Sequence, residues 1–190
     1  MSKLSDAIKF AVDAHEGQKR RVSNAPYIIH PLEAMVIISQ LTKNEDVLCA
    51  ALLHDVIEDA GVTLEEIRSR FGDRVAQLVS SDTENKRKNL PASETWKVRK
   101  EETLKHLAET DDIEEKMIWL ADKLSNARAM LVEYVNNGDA IWMHFNQHDK
   151  SQHEWYYRSI IDYLRADFAN TLAFKELERN VNYIFGGKTE

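Results

Sequence analysis

Six glycines and three prolines punctuate 190 residues, less than half of the ~12% that these two types contribute to an average chain. A β-sandwich or barrel needs a turn signal every ~8–12 residues, so those folds are excluded. Collagen-like and linker-like chains fall to the same scarcity. Neither GxGxxG nor GxxxxGK[ST] occurs, so no glycine-rich backbone cradle for phosphate can be assembled. If the chain handles nucleotides, it does so through side chains or a metal. What remains is an all-α protein, a compact multi-helix fold with short connections.

The length suits a single domain over residues 1–190, and a hydrophobic content of 43% is enough for a sizeable core. The lone Cys49 cannot form an internal disulfide, which points to a reducing, cytoplasmic setting. The start, MSKLSDAIKF, is amphipathic and lacks the apolar core of a secretory signal. No apolar run approaches the ~20 residues of a membrane span. A net charge of −7 argues against a nucleic-acid-coating surface. Neither a membrane nor a nucleic-acid partner is expected, and the oligomeric state is left open.

Hydrophobic periodicity predicts a helix over 2–15, capped by Ser2 or Ser5 and stopped by Gly17. A basic loop, 17–30, leads to His30-Pro31, which opens a second helix running to about Leu41, with Pro31 at its first position. The third helix, 45–59, is apolar almost all round in its middle, from Val47 to Leu53, so it must be buried. Gly61 closes it, and Thr63-Leu-Glu-Glu is a capping box for 63–71. Further helices are predicted over 73–81, 94–109 (capped by Ser93), 113–136 (capped by Asp111 or Asp112), 139–146, 150–168, and a last one ending near Phe185. Residues 82–93 form a polar loop.

The chemistry concentrates at the end of the third helix. His54-Asp55 and Glu58-Asp59 follow directly on the most apolar stretch of the chain. In one continuous helix His54 lies over Glu58 and Asp55 over Asp59. Three carboxylates there repel one another at a terminus whose dipole is already negative. Something positive must offset them, and a divalent cation is the economical candidate. The plain alternative is a solvated acidic helix end. Two other residues favour the cation. His30 stands at the head of the second helix, and Asp122 interrupts an apolar run with Ile118, Ala121 and Ser125 around it. One His, one His-Asp pair and a distant Asp form a mixed N/O set that suits Mn, Fe, Zn or Mg. His144, His148 and His153 read instead as a solvated turn, Cys49 as inert core, and His15 as a capping or core residue.

The order His30, His54-Asp55, Asp122 resembles the HD superfamily of metal-dependent phosphohydrolases. The local words AHEGQKRR (14–21), PYIIHP (26–31), ALLHDVIEDAGVTLEEI (51–67), FGDRVAQLV (71–79) and LADKLSN (120–126) are similar to those of the RelA/SpoT-type alarmone hydrolase domain. The resemblance covers about residues 7–165, with the C-terminal helices over about 150–185. A chain of this length matches the small, hydrolase-only members.

The resemblance implies an HD-domain fold and hydrolysis of the 3′-pyrophosphate of (p)ppGpp to GDP or GTP, with Mn2+ or another divalent cation. It implies metal ligation by His30, His54, Asp55 and Asp122, and a catalytic pair in Glu58 and Asp59. It places Arg20, Arg21 and Asn126 at the substrate. Phosphoryl transfer needs further cations nearby, for which Lys86 and Lys97 are candidates. The run after Asp122, DKLSNARAM, departs from the family's DR-x-HN-x-RT-like run. That departure keeps open another phosphorylated nucleotide such as NADPH or a dNTP as substrate. A non-catalytic alarmone-binding module is a separate alternative, which a degenerate metal set would favour, though all four ligands and the Glu58-Asp59 pair are present.

Overall fold

A computed structural model describes residues 2–85, 87 and 89–186. Among the described residues the regular structure is helical, and the sole β pairing is an isolated bridge between Lys19 and Pro26. The helices are α1 (Lys3–Ala14), α2 (Ile29–Ile38), α3 (Glu45–Leu53), α4 (Val56–Ala60), α5 (Leu64–Phe71), α6 (Asp73–Asp82), α7 (Ala92–Glu109), α8 (Ile113–Asn137), α9 (Lys150–Phe168) and α10 (Leu172–Phe185), with a 3-10 turn at Gly138–His144. No helix among them is long and apolar enough to cross a membrane. The chain forms two compact units. Among the described residues, the first lies within 1–20, 25–84 and 112–122, and the second within 21–24, 85–111 and 123–190.

In the first unit α3 is the central element. It packs against α1, α2 and α6, and every residue from Cys49 to Leu53 is buried. A helix with neighbours on three sides can be apolar all round, which its sequence is. Asn44 caps it by accepting from the Asp46 amide. Ser2 caps α1 and Thr63 caps α5, each accepting from the amide three residues on. Gly61 ends α4 in the left-handed region at φ 72°, where a side chain would be strained.

Several boundaries differ from the sequence reading. Pro31 is the third residue of α2, not the first. It fits there because the first four amides of a helix lack intrahelical acceptors anyway. Helix α7 begins at Ala92 behind Pro91, so Ser93 lies inside it and does not cap it. The 45–59 helix is broken at His54-Asp55 into α3 and α4. The His54 ring is bonded through Nδ1 to the Ala51 carbonyl at 2.8 Å, an acceptor within the helical ladder. A side chain competing for that ladder bends the helix.

The start of α8 is tied down inside the first unit. Asp112 caps it by accepting from the Glu114 amide at 3.0 Å. The Arg74 guanidinium on α6 donates to both Asp112 oxygens, at 2.7 and 2.8 Å, and through Nε to Glu114 at 2.9 Å. Asn44, the cap of α3, donates to the other Glu114 oxygen at 2.7 Å. One guanidinium thus fixes where α8 begins, and with it where Asp122 falls.

The second unit packs α9 against α7 and α10. His153 corrects the solvated-turn reading. It is buried, with the rings of Trp96, Trp142 and Phe145 within 5.3 Å of it. Its Nε2 is bonded to the Gln147 carbonyl at 2.8 Å, and burial lowers its pKa. His144 and His148 are exposed, as expected.

Hydrogen bonds from Arg74 hold the Asp112 carboxyl below its ordinary pKa. A depressed carboxylate stabilises the fold above its unfolded pKa of about 3.9, and that contribution disappears as pH falls through the lower folded value. Arg74→Ala is expected to cost about 1–3 kcal/mol at pH 7 in urea unfolding. It is also expected to weaken the loss of stability that the unsubstituted protein shows as pH falls below about 4.

Candidate metal centre

His30 enters from the first turn of α2, His54 and Asp55 from the bend between α3 and α4, and Asp122 from α8. All four belong to the first unit. His30, His54 and Asp122 each bring one ligand atom within 4.8 Å of the others, and all three are buried. The His30 and His54 Nε2 atoms stand 3.1 Å apart. Asp122 Oδ1 is 3.1 Å from His30 Nε2 and 3.7 Å from His54 Nε2. Asp55 Oδ2 adds a fourth atom, 3.0 Å from His54 Nε2 and 3.4 Å from His30 Nε2.

These spacings fit a common cation. Two atoms bound to one ion at about 2.1 Å stand about 3.0 Å apart at right angles and about 3.4 Å apart at the tetrahedral angle. The donor set agrees: two imidazoles and two carboxylates suit a divalent ion of intermediate hardness. The bond from His54 Nδ1 to Ala51 fixes the ring, so in the neutral imidazole the Nε2 lone pair faces the cluster. The bend that breaks the helix is therefore also the device that aims His54.

The electrostatics point the same way. Burial works against a charge on His54, but Asp55 and Asp122 outweigh it and push its pKa up to about 10. Burial would raise the Asp55 carboxyl, yet the charge on His54 and hydrogen bonds from His30 and His54 hold it well below the usual range. The two carboxylates create a strong local demand for positive charge.

Glu58 and Asp59 lie in the first turn of α4. The bend does not separate them from the cluster, because the Asp59 amide still donates to the Asp55 carbonyl at 2.9 Å. Glu58 accepts from the Glu84 amide. Asp59 Oδ2 faces the Tyr27 hydroxyl at 3.1 Å, and that hydroxyl also donates to Asp55 Oδ2 at 2.6 Å. Sequence reasoning passed over Tyr27, although it stands in PYIIHP three residues before His30.

The remaining predicted residues divide between the two units. Arg20 is in the first unit, with its guanidinium 5.5 Å from the centre of the Tyr27 ring. Arg21, Lys97 and Asn126 belong to the second unit. Arg21 is exposed and Asn126 half-buried. Lys97 Nζ sits 3.1 Å from the centre of the Trp155 ring, a cation–π contact that engages the charge. Lys86 lies outside the described residues. His15 is a core residue, as expected. It is bonded through Nδ1 to Gln18 at 2.9 Å, with its ring 4.9 Å from that of Tyr27.

The HD domain family matches residues 7–148, and the chain belongs to that family. Among curated proteins, the guanosine-3′,5′-bis(diphosphate) 3′-pyrophosphohydrolase of Aquifex aeolicus is 35% identical over 129 residues, which cover 68% of this chain and 18% of that one. The enzyme of the same name from Vibrio cholerae is 42% identical over 128 residues, covering 67% and 18%. The chain thus spans about a fifth of the length of these relatives. Among solved structures, a metazoan ortholog of SpoT, described as hydrolysing ppGpp and acting in starvation responses, superposes with a TM-score of 0.79. It is 28% identical, and the match covers 99% of this chain and 98% of that one. A protein of Listeria monocytogenes EGD-e matches with a TM-score of 0.70 at 34% identity, over 83% of this chain and 99% of that one.

Asp122→Ala removes one carboxylate from the cluster and is expected to weaken divalent-metal binding by at least about 100-fold, more than the loss of an outer-shell partner costs. Titration calorimetry with the metal alone measures this, with circular dichroism checking that the helical fold is kept.

Proposed function

We propose that this chain is a cytoplasmic Mn2+-dependent hydrolase that removes the 3′-pyrophosphate from ppGpp and pppGpp, leaving GDP or GTP. The observation that carries the reading is the buried His30, His54 and Asp122 cluster with the half-buried Asp55 beside it. The likeness to the metazoan SpoT ortholog along nearly the whole of both chains supports it. In this reading those four side chains ligate the ion. Manganese is favoured over zinc by the two carboxylate ligands and over magnesium by the two imidazoles.

A divalent cation held there supplies Lewis acidity: it acidifies water and polarises a phosphoryl oxygen. The chain's own residues do the rest. Glu58 and Asp59 are the carboxylates that orient the attacking water and take its proton. Glu58 accepts from the Glu84 amide, and Asp59 lies against the Tyr27 hydroxyl, whose one proton is shared between Asp55 and Asp59. The water oxygen bonds to phosphorus, the bond from phosphorus to the 3′ oxygen breaks, and that oxygen leaves with a proton as pyrophosphate departs. Arg20 stands against Tyr27 as a cation for the substrate phosphates. Side-chain cations are needed because a chain this poor in glycine has no backbone phosphate cradle.

The test is product analysis on ppGpp with Mn2+, beside a panel of other phosphorylated nucleotides. GDP and pyrophosphate should appear, with kcat/KM highest for ppGpp. Metal bound without turnover of ppGpp would overturn the assignment. Glu58→Gln and Asp59→Asn are expected to lower kcat by about 100- to 10,000-fold while keeping metal affinity. Full activity in Glu58→Gln would remove that residue from the proton-handling role.

A further inference from the structure

The loop between α1 and α2 has a built geometry that neither metal ligation nor phosphate binding accounts for. Its two limbs pair across the bridge from Lys19 to Pro26. The Tyr27 amide donates to the Gln18 carbonyl at 2.9 Å, and the Arg20 amide to the Ala25 carbonyl at 2.8 Å. The pairing brings Gln18 and Tyr27 to the same place, where both meet the turn that carries Asp55 and Asp59.

Gln18 Nε2 donates to the Asp59 backbone carbonyl at 2.9 Å. Its amide oxygen is therefore the acceptor towards His15, and His15 Nδ1 is the donor. The His15 and His30 rings flank Tyr27 with centroids at 4.9 and 5.9 Å. The phenol packs against both rings, and its hydroxyl lies 2.6 Å from Asp55 Oδ2 and 3.1 Å from Asp59 Oδ2. Asp55 Oδ2 is the same oxygen that faces both imidazoles. A single hydroxyl thus connects the ligand oxygen of one carboxylate to the side chain of the other.

We infer that Tyr27 is a positioning residue that fixes the Asp55 ligand oxygen and the Asp59 carboxylate in one geometry. The inference rests on the metal-hydrolase reading and adds to it a residue that acts through two others. A hydrogen bond from a residue that is not itself a ligand orients the carboxylate that is, and losing such a partner weakens metal binding or activity by about 10- to 100-fold. Through Asp59, the same hydroxyl governs turnover without touching substrate.

The test is Tyr27→Phe, which keeps the ring and its packing and removes one oxygen. Calorimetric titration with Mn2+ alone should show a Kd about 10- to 100-fold weaker than that of the unsubstituted chain, with the Tm nearly unchanged. On ppGpp at saturating Mn2+, kcat should fall while KM stays within about twofold, since an outer-shell loss moves the chemistry and not the substrate contacts. A Kd for Mn2+ within threefold of the unsubstituted value overturns the inference, whatever happens to the Tm. Turnover of ppGpp by the unsubstituted protein is measured beside it. If that turnover is absent, the substrate assignment fails while the Mn2+ titration still decides the role of Tyr27.

Discussion

Ligand atoms of the buried His30, His54 and Asp122 lie 3.1 to 3.7 Å apart, and a half-buried Asp55 adds an oxygen 3.0 and 3.4 Å from the two imidazoles. Leaving carboxylates and histidines so close, away from water, is costly unless positive charge is supplied. The surrounding structure can be understood as what holds them there. Helix α3 is buried from Cys49 to Leu53 and delivers His54 from an apolar base. The bond from His54 to Ala51 bends the chain, turning Asp55 into the cluster and starting α4 with Glu58 and Asp59 beside it. Arg74 anchors the start of α8, and Asp122 follows along that helix.

Much of this was legible in the sequence because it depends on local rules. The scarcity of glycine and proline excluded β folds. The run from Val47 to Leu53, apolar on every face, required a central helix, and α3 is one. Ser2, Thr63 and Asp112 cap as their side chains allow. An acidic helix end next to such a run, with His30 and Asp122 elsewhere, called for a cation, and the fold brings His30, His54 and Asp122 within reach of one.

What was not legible depends on side chains acting at a distance or against the local pattern. Periodicity treats 45–59 as one helix because the break is made by a single imidazole taking a backbone carbonyl. Tyr27 looked like part of a basic loop because its partners, Asp55 and Asp59, are 28 and 32 residues away. His153 sits in a polar stretch, yet aromatic rings from α7 and the 3-10 turn bury it.

The central claim is that the buried cluster holds one divalent cation and that this cation makes the chain a hydrolase. The most direct measurement pairs metal content per chain with GDP and pyrophosphate released from ppGpp, as Mn2+ is stripped by a chelator and returned. The account predicts one ion per chain at full activity, with product release rising in step with occupancy. Turnover that persists with the metal removed, or a chain that binds no divalent ion while hydrolysing ppGpp, would contradict it.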